Sequence, residues 1–196
     1  MKTCYLIALM LLAFASCKTK TNENVQKVSF GIYETVYPSD LPGFLSDSLA
    51  TANIQPAAAN EQPIIGNIKA DSLAFLGNFN SSSYKLLNTV YAVDNDHMYY
   101  AVVAVKPLAV INLSHVLKTK AEGNRVIIYF NMKGANLWAE VTRNNVGKTL
   151  IFVLDNKVYD MPFVNAEIRE GLALIGNLES ETLAKSLSES INASLP

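Results

Sequence analysis

Cysteine and histidine, the residues that most often ligate metals or pair as nucleophile and base, are scarce in this chain, which contains two of each. Cys4 lies in an N-terminal apolar run that we expect to be removed, so no disulfide can form inside the mature domain and the core alone must stabilise it. A zinc site or a Cys–His nucleophile has little to be built from. The sequence also lacks a Gly-x-Ser-x-Gly elbow and a Walker-type phosphate loop. It therefore predicts neither an enzyme nor a cofactor.

An excess of charge of either sign is missing as well. The formal net charge is −1, and lysine and arginine are scattered singly along the chain. Proteins that grip nucleic acid cluster their basic side chains on one face. We therefore expect no nucleic-acid partner.

The N-terminus has the pattern of an export signal. A short basic start, Met1-Lys2-Thr3, precedes an apolar run from Cys4 to Phe14, which is shorter than the roughly 20 residues that a transmembrane helix needs. The segment Phe14-Ala15-Ser16-Cys17 then resembles a bacterial lipoprotein lipobox, although Phe14 departs from the leucine usual at its position. The resemblance implies that residues 1–16 are a signal peptide and that Cys17 is lipidated and becomes the first residue of the mature protein.

A lipidated Cys17 would anchor the protein to the inner or outer membrane of a bacterial cell envelope, facing the periplasm or the cell surface. The polar, aliphatic-poor residues that follow, within 17–27, predict a flexible tether between lipid and domain. The alternative is an ordinary secretory signal cut at a small residue, which leaves Cys17 as a free thiol.

The remaining residues, 28–196, predict one α+β domain, a mostly antiparallel sheet with helices packed on one face. β-branched and aromatic residues predict strands at 28–37, 89–93 and 98–105, and the last is apolar on both faces and therefore central. Prolines and a glycine predict a surface loop over 54–66. Capping residues predict short helices at 41–50 and 72–76. We also expect a short helix around 84–87, a helical turn at 112–117 and a charged loop at 118–124.

The last third of the chain organises the fold. Its patterns predict strands at 126–130, 149–154, 157–164 and 172–175, with helices at 132–145 and 181–193. The first helix has Asn131 as its N-cap and a stripe at i, i+3, i+4 and i+7, formed by Ala135, Trp138, Ala139 and Thr142. The second has Ser180 as its cap and an apolar stripe of Leu183, Leu187 and Ile191. Both helices should pack on the sheet.

Candidate polar sites have simpler structural explanations beside them. Asp94, Asp96 and His97 could ligate a metal, although aspartate and asparagine here are typical of a hairpin turn. His115 has no cysteine or carboxylate close in sequence, which indicates a surface or helix-end residue. We therefore predict no metal site and no catalytic residue.

Aromatic residues give two further candidates. Trp138 could stack on a ligand, but its place in the helical stripe indicates the core. Four tyrosines could line an exposed aromatic groove or pack on the faces of the sheet, namely Tyr33, Tyr37, Tyr99 and Tyr100.

The segment from residue 98 to residue 196 resembles the first periplasmic (P1) head region of SecD, an accessory of the bacterial Sec protein-export channel. The helix and the turn after it match at Gly134, Ala135, Trp138, Ala139, Thr142, Asn145 and Gly147. The following strands match at Leu154, Asp155, Lys157, Val158, Pro162, Val164, Gly171, Ile175 and Gly176. The closing helix matches at Glu181, Ala184, Leu187, Leu195 and Pro196. Upstream matches are Lys106-Pro107-Leu108 and the segment FGIYET at 30–35.

These motifs are turn and packing residues, so the resemblance implies a fold more than a chemistry. SecD itself continues into transmembrane helices where this sequence stops at Leu195-Pro196. We therefore expect a non-enzymatic, membrane-tethered binding module that contacts exported polypeptides, Sec components or other envelope proteins. An exposed strand edge or apolar groove would accept extended chain. The alternatives are a small hydrolytic or ligand-binding lipoprotein that reuses the fold, and a purely structural lipoprotein.

Overall fold

The computed structural model describes residues 26–41, 54–56, 63–79, 81–94 and 96–196. Its strands are β1 (Phe30–Val36), β2 (Ile54–Pro56), β3 (Ile64–Lys69), β4 (Lys85–Ala92), β5 (Tyr99–Val105), β6 (Ile111–Asn112), β7 (Val116–Glu122), β8 (Arg125–Phe130), β9 (Leu150–Leu154), β10 (Lys157–Asp160) and β11 (Leu172–Ile175). Its α-helices are α1 (Met132–Asn144) and α2 (Glu181–Ser194), and 3₁₀ helices occupy Pro38–Asp40, Ala70–Phe79 and Leu113–His115. None of these helices has the length and apolar character that a membrane crossing requires.

The larger sheet has eight strands in the order β2-β3-β5-β4-β10-β9-β1-β6. An additional pairing between β1 and β5, at Thr35 with Val105 and Val36 with Ala104, closes β1, β5, β4, β10 and β9 into a ring. Apolar side chains fill that ring, namely Leu87, Val103, Val105, Ile151, Val153 and Val158. Neighbouring strands are antiparallel except β4 and β10. The predicted α+β class with a mostly antiparallel sheet is confirmed, and β5 is the central strand that its sequence predicts.

A second sheet of three strands, β11-β8-β7, lies beside the first. Its inward side chains, including Ile128, Ala173 and Ile175, share one core with both α-helices and with the outer face of β1 and β9. Trp138 and Phe152 meet in that core, with ring centroids 6.2 Å apart in an edge-to-face arrangement. The main core therefore lies between the two sheets and is closed by the helices.

Helix α1 begins as its sequence predicts. The Asn131 side chain accepts a hydrogen bond of 2.9 Å from the backbone N–H of Gly134. Only glycine fits at position 134, because a Cβ there would lie 2.2 Å from the carbonyl oxygen of His115. The buried residues of the helix are Gly134, Trp138, Val141 and Thr142. The predicted alanines, Ala135 and Ala139, are only half-buried, so the stripe is turned slightly from its predicted direction.

Helix α2 closes the core from the C-terminal end. Ser180 caps it by accepting from the N–H of Leu183 at 3.1 Å. Its buried side chains include Ala184, Leu187 and Ile191. Two of the three predicted stripe residues are therefore buried, and Leu183 packs at the margin of the core.

Two upstream predictions are wrong. The predicted loop over 54–66 contains β2 and the start of β3, because an edge strand tolerates a proline and Pro56 pairs with Gly66 at the edge of the sheet. The predicted helix around 84–87 is the start of β4, where Lys85 pairs with Val105. In both places local propensity is overruled by pairing with the next strand along the chain.

The charged loop predicted at 118–124 is also wrong, because most of it belongs to β7. The exposed side chains of Lys118, Lys120 and Glu122 are polar because β7 is an edge strand, and charged edge residues discourage pairing with other chains. The predicted signal peptide at 1–16, Cys17, most of the tether at 17–27 and all but the first residue of the predicted helix at 41–50 lie outside the described residues.

Candidate polypeptide-binding groove

Strand β11 has one side of its backbone open. The N–H of Phe130 donates to the carbonyl of Gly171, and the register then makes Ala173 and Ile128 the next hydrogen-bonded pair. Alternate residues of an antiparallel strand point their backbone groups the other way. The N–H and C=O groups of Leu172 and Leu174 therefore face away from β8, and neither has a hydrogen-bond partner among the described residues.

The opposite edge of the same sheet is closed. The Thr119 N–H donates to the Asn192 side-chain oxygen at 2.7 Å, and the Asn192 amide donates back to the Thr119 carbonyl at 3.0 Å. The Thr119 hydroxyl lies 2.9 Å from the Ser188 hydroxyl, which ties β7 to α2 a second time. Helix α2 thus supplies at Thr119 the bonds of a missing strand, while no residue in the described part of the chain covers β11 in this way at Leu172 and Leu174.

One end of the open edge is capped by Asp160. Its carboxylate accepts from the N–H of Gly176 at 2.7 Å and from the N–H of Met161 at 2.8 Å. The backbone N–H of Gly176 points to the same side as that of Leu174, two residues earlier. The contact with Asp160 therefore brings the end of β10 alongside the outer edge of β11. The uncapped part of the edge runs from Leu174 back to Leu172.

A cavity of about 680 Å³ lies between the outer edge of β11 and the segment after β10. Its lining is mostly apolar and includes Trp138, Phe152, Met161, Pro162, Ile168 and Ala173. The polar residues Arg125, Asp160 and Asn177 line it as well. Its volume is within the usual range of small-ligand sites. We call this space and the open backbone of Leu172 and Leu174 the β11 groove.

A second cavity of about 360 Å³ adjoins the β11 groove, because Asp160 and Met161 line both. It lies where β4 and β10 diverge after their last paired residues, Thr89 and Val158. Burial raises the pKa of Tyr159, which lines it, so that phenol stays neutral at physiological pH. The Asp160 carboxylate, which accepts from the N–H groups of Gly176 and Met161, lies where the two cavities meet.

The rim of the β11 groove is fixed to α1. The buried Thr142 hydroxyl accepts from the N–H of Ile168 at 2.9 Å and donates to the Trp138 carbonyl at 2.8 Å. The Glu167 carboxylate forms an ion pair with Arg143 at 2.8 Å. Hydrogen bonds from Arg143, which has the larger effect, and from Arg169 lower the pKa of the Glu167 carboxyl to about 2. The segment that leads into β11 is therefore held on the helix rather than across the groove.

A glycine starts the open strand. Gly171 has a φ of +67°, in the left-handed region that favours glycine, and a Cβ there would lie 3.0 Å from the Ala135 Cβ. A larger residue would push the start of β11 away from α1. Backbone conformation and packing against α1 therefore explain why a glycine precedes β11 in the sequence.

The structure does not assemble the predicted metal candidates into a site. Asp94 accepts from the N–H groups of Met98 and Tyr99 at 3.0 and 2.8 Å, as a hairpin turn requires. His97 has a φ of +54° in the same turn. No group of three or more metal-ligating side chains comes together in the part of the chain that the structure describes. The turn explanation given for these residues is confirmed.

The four candidate tyrosines are dispersed. Tyr33 packs against the interior of the strand ring, while Tyr100 packs under the 3₁₀ helix Ala70–Phe79. The Tyr37 hydroxyl accepts from the N–H of Thr149 at 3.0 Å. Lys69 lies over the Tyr99 ring, 5.8 Å from its centroid. They form no shared groove, and packing on sheet faces accounts for them.

Two predictions about single residues have mixed outcomes. Trp138 is in the core, as its helical position predicts, but it also lines the β11 groove. His115 ends a 3₁₀ helix, where its Nδ1 accepts from the N–H of Asn112 at 3.2 Å. It is buried rather than on the surface, because the N-terminus of α1 packs against it.

The sequence patterns did not identify Leu172 and Leu174 as binding residues. The available signal was a short strand between glycines with apolar residues on both faces, at the position of an edge strand. Both leucines are 39% exposed, and the short strand that carries them lies at the edge of its sheet. An apolar edge of this kind is unusual, because edge strands are commonly blunted by charge.

Comparison with known proteins identifies the family. The family profile of the SecDF P1 head subdomain matches residues 88–196, which is more than half of the chain. The SecD subunit of the protein translocase of Rickettsia typhi is 28% identical over 155 residues, which is 73% of this chain and 27% of that relative. The SecD subunit of Rhodothermus marinus is 33% identical over 114 residues, covering 54% of this chain and 18% of the relative.

A solved structure has the same fold. It belongs to SecDF, described as a membrane component that enhances protein export, and it superposes with a TM-score of 0.51 at 18% identity over 87% of this chain and 64% of that one. The chain spans about a quarter or less of the length of the two SecD relatives. The match of the family profile to more than half of the sequence is decisive, and this chain belongs to the SecDF P1 head subdomain family.

Proposed function

We propose that this chain is a non-enzymatic, lipid-anchored protein of the bacterial cell envelope that binds extended polypeptide segments in the β11 groove as an accessory to Sec-dependent export. The observation that carries the proposal is the open backbone of Leu172 and Leu174 beside an apolar cavity. Relatives that are subunits of a protein translocase support a role in export.

The anchor would be a lipid on Cys17. Residues 17–27, if flexible, would place the domain roughly 20 Å from the membrane surface on average. A domain held at that distance would meet chains as they leave a channel in the same membrane. The lipobox at Phe14-Ala15-Ser16-Cys17 supports this arrangement.

Binding would proceed by strand addition. An incoming extended segment would pair with the N–H and C=O groups of Leu174 and Leu172 and add a fourth strand to the β11-β8-β7 sheet. Backbone pairing is independent of sequence, which suits a protein that handles many exported chains. The apolar lining of the groove would add affinity for segments that have not yet buried their own apolar side chains.

Photo-crosslinking in cells tests the export role. A photoreactive phenylalanine analogue at Leu172 should give adducts with Sec components or with nascent secreted chains. The matched control is the same analogue at Glu140, an exposed residue of α1 outside the groove lining. Adducts of position 172 confined to one unrelated envelope complex would contradict the export role.

A purified-protein experiment tests strand addition itself. Leu174→Pro removes one outward N–H without removing a ladder hydrogen bond, because that N–H does not face β8. We expect at least a tenfold weaker affinity for an extended apolar peptide with little change in melting temperature. Two controls accompany it. Leu117→Pro lies on β7, the opposite edge strand, and should leave the affinity unchanged. Leu172→Ala keeps the backbone of the open edge and should change the affinity by no more than about a few fold.

A second candidate is a small apolar ligand, because a cavity of about 680 Å³ is large enough to hold one. Such a ligand would not use the edge backbone. It would therefore bind wild type and Leu174→Pro with affinities within a few fold of each other, while an extended apolar peptide would bind to neither.

A further inference from the structure

One side of the three-stranded sheet faces away from the core. Alternation along β8 leaves Ile127 and Tyr129, both half-buried, on that side. The register with β11 sets the exposed Leu174 beside Ile127 and the exposed Leu172 beside Tyr129. None of the core clusters formed by the described residues includes these four side chains. We call this exposed side of the sheet the β8 face.

Strand β7 adds lysines to the β8 face. Lys118 and Lys120 are exposed and lie opposite Tyr129 and Ile127 in the ladder. The Lys118 ammonium lies 5.1 Å from the centroid of the Tyr129 ring, which is a cation–π contact. The face therefore has a basic row along β7 and an apolar surface across β8 and β11.

A bulge brings another apolar side chain to the basic row. The pairing of β7 with β8 shifts register between Val116 and Lys118. A bulge sets two residues of one strand against one residue of its partner, so the alternation is interrupted there. Leu117 is consequently 60% exposed, next to the exposed Lys118. Exposed apolar side chains rimmed by polar ones are typical of an interaction surface.

Positive charge is concentrated on the β8 face and on the segment that leads to it. The three strands carry one acidic side chain, Glu122, which pairs with Lys120 at 2.9 Å, and three basic ones, namely Lys118, Lys120 and Arg125. Glu170 lies just before the start of β11. The predicted tether, residues 17–27, contains three lysines and one glutamate. The strands and the tether are thus each net positive, in a chain whose formal net charge is −1.

The predicted tether ends close to β7. The backbone N–H of Val28, the first residue after it, donates to the Ser194 hydroxyl at 2.7 Å, in the last turn of α2. Asn192 lies in the same turn and bonds to the backbone of Thr119 on β7. A single turn of α2 therefore connects the end of the tether to the strand that carries the lysines.

We infer that the β8 face docks on a membrane surface that contains anionic phospholipids. The ammonium groups of Lys118 and Lys120 would bind headgroup phosphates, and the exposed leucines would reach the boundary with the acyl chains. Tyrosine suits this boundary because its ring is apolar and its hydroxyl is polar, as at Tyr129. An acidic protein surface would match the charge as well, but the position of the tether beside β7 favours the membrane.

Docking would orient the domain rather than attach it. Each basic residue contributes little to binding at an anionic surface, and salt screens the contribution. The lipid proposed at Cys17 would supply the attachment, and the inference rests on the proposed function only for this position at a membrane. In the docked domain Leu172 and Leu174 would face the bilayer, so a strand added at β11 would lie along the membrane surface.

Vesicle co-sedimentation at low ionic strength tests docking. The protein is the chain from residue 17 onward with Cys17→Ser, which carries no lipid and keeps every described residue. It should bind vesicles of equal parts phosphatidylglycerol and phosphatidylcholine about tenfold more tightly than vesicles of phosphatidylcholine alone. Reversing two charges of the basic row, with Lys118→Glu and Lys120→Glu together, should weaken binding to the anionic vesicles by about tenfold or more.

The matched control reverses two exposed lysines outside the three strands, with Lys148→Glu and Lys157→Glu together. It changes the net charge equally and should bind the anionic vesicles as the parent chain does. Docking is overturned if the parent chain binds neither kind of vesicle, if it binds both equally, or if the two double variants lose the same affinity.

A fluorescent label tests which side of the domain meets the lipid. The chain from residue 17 with Cys17→Ser contains no cysteine, so one introduced cysteine can be labelled with nitrobenzoxadiazole. The label on Leu117→Cys should shift to the blue on anionic vesicles, whereas the label on Lys157→Cys should not change. An unchanged spectrum at position 117 would overturn docking through the β8 face.

These outcomes are independent of the proposed polypeptide binding and of the proposed lipid. Peptide affinity is measured without vesicles, and vesicle binding is measured without peptide or lipid anchor. If peptides fail to bind while the vesicle results hold, the proposed function fails and docking stands. If peptides bind and are weakened by Leu174→Pro while the vesicle results fail, strand addition stands and docking is overturned.

Discussion

The side-chain amide of Asn192 forms two hydrogen bonds with the backbone of Thr119, one to its N–H at 2.7 Å and one to its C=O at 3.0 Å. These are the two bonds that a neighbouring strand would make. The small sheet thus has one edge that α2 closes within the chain and one edge, at Leu172 and Leu174, where the described residues supply no partner. This asymmetry is the reason why we propose strand addition at β11 and not at β7.

Replacing Asn192 should loosen the β7 edge. Asn192→Ala leaves both backbone groups of the buried Thr119 without their partner and should lower the free energy of unfolding by about 1–2 kcal/mol. Hydrogen exchange of the Thr119 amide should accelerate. Asn192→Asp is the control, because its carboxylate still accepts from the N–H and should keep that amide protected. Equal exchange in all three proteins would show that the Asn192 bonds are not formed in solution.

Trp138 should matter for the stability of the domain. Trp138→Ala removes the largest side chain of the α1 stripe from the core and should cost about 3–5 kcal/mol of unfolding free energy. Trp138→Phe should cost much less, because it retains a ring and removes a donor that has no described acceptor. Denaturant melts measure both values. An unchanged melt of Trp138→Ala would place the residue outside the core.

Acid should weaken the rim of the β11 groove through Glu167. Hydrogen bonds from Arg143 and Arg169 lower the pKa of its carboxyl from 4.5 to about 2 in the folded state. The contribution to stability is therefore complete above pH 4.5, and it is lost as the pH falls from 4.5 toward 2. Glu167→Gln lacks this contribution at every pH.

The measurement is the melting temperature of wild type and Glu167→Gln across that pH range. The difference between them should shrink steadily below pH 4.5. Glu34 remains in both proteins: burial raises the pKa of its carboxyl, but hydrogen bonds from Lys106 and Asn145 outweigh burial and lower it. Its effect cancels in the difference. A difference that does not change with pH would mean that the ion pairs of Glu167 are not formed.

Cys17→Ser should release the protein from membranes, because the lipobox predicts that the thiol carries the anchoring lipid. The measurement is the distribution between membrane and soluble fractions. Cys4→Ser is the matched control, since Cys4 lies in the predicted signal peptide and its loss should leave the mature protein on the membrane. The cells must process lipoproteins, which their sensitivity to globomycin shows. Unchanged fractionation of Cys17→Ser in such cells, without the drug, would contradict the lipid anchor.

The sequence by itself determined the elements whose causes are local. The N-caps Asn131 and Ser180 mark the starts of both α-helices. The hairpin at Asp155-Asn156 forms at positive φ values of +46° and +62°, which asparagine and aspartate tolerate. The apolar run of β5 is central because it is apolar on both faces. In each case the signal comes from residues within a few positions of the element that it specifies.

Only the tertiary structure decided the β11 groove. Whether a backbone group is free depends on which strands lie beside it, and those partners are distant in sequence: Asn192 reaches Thr119, and Asp160 reaches Gly176. The wrong predictions at 54–66 and 118–124 have another cause: loop-like residues there form edge strands because they pair with the next strand along the chain. Trp138 shows the same limit. Its helical spacing predicted burial, but its position against Phe130 and Phe152 follows from packing between two sheets, which no local pattern encodes.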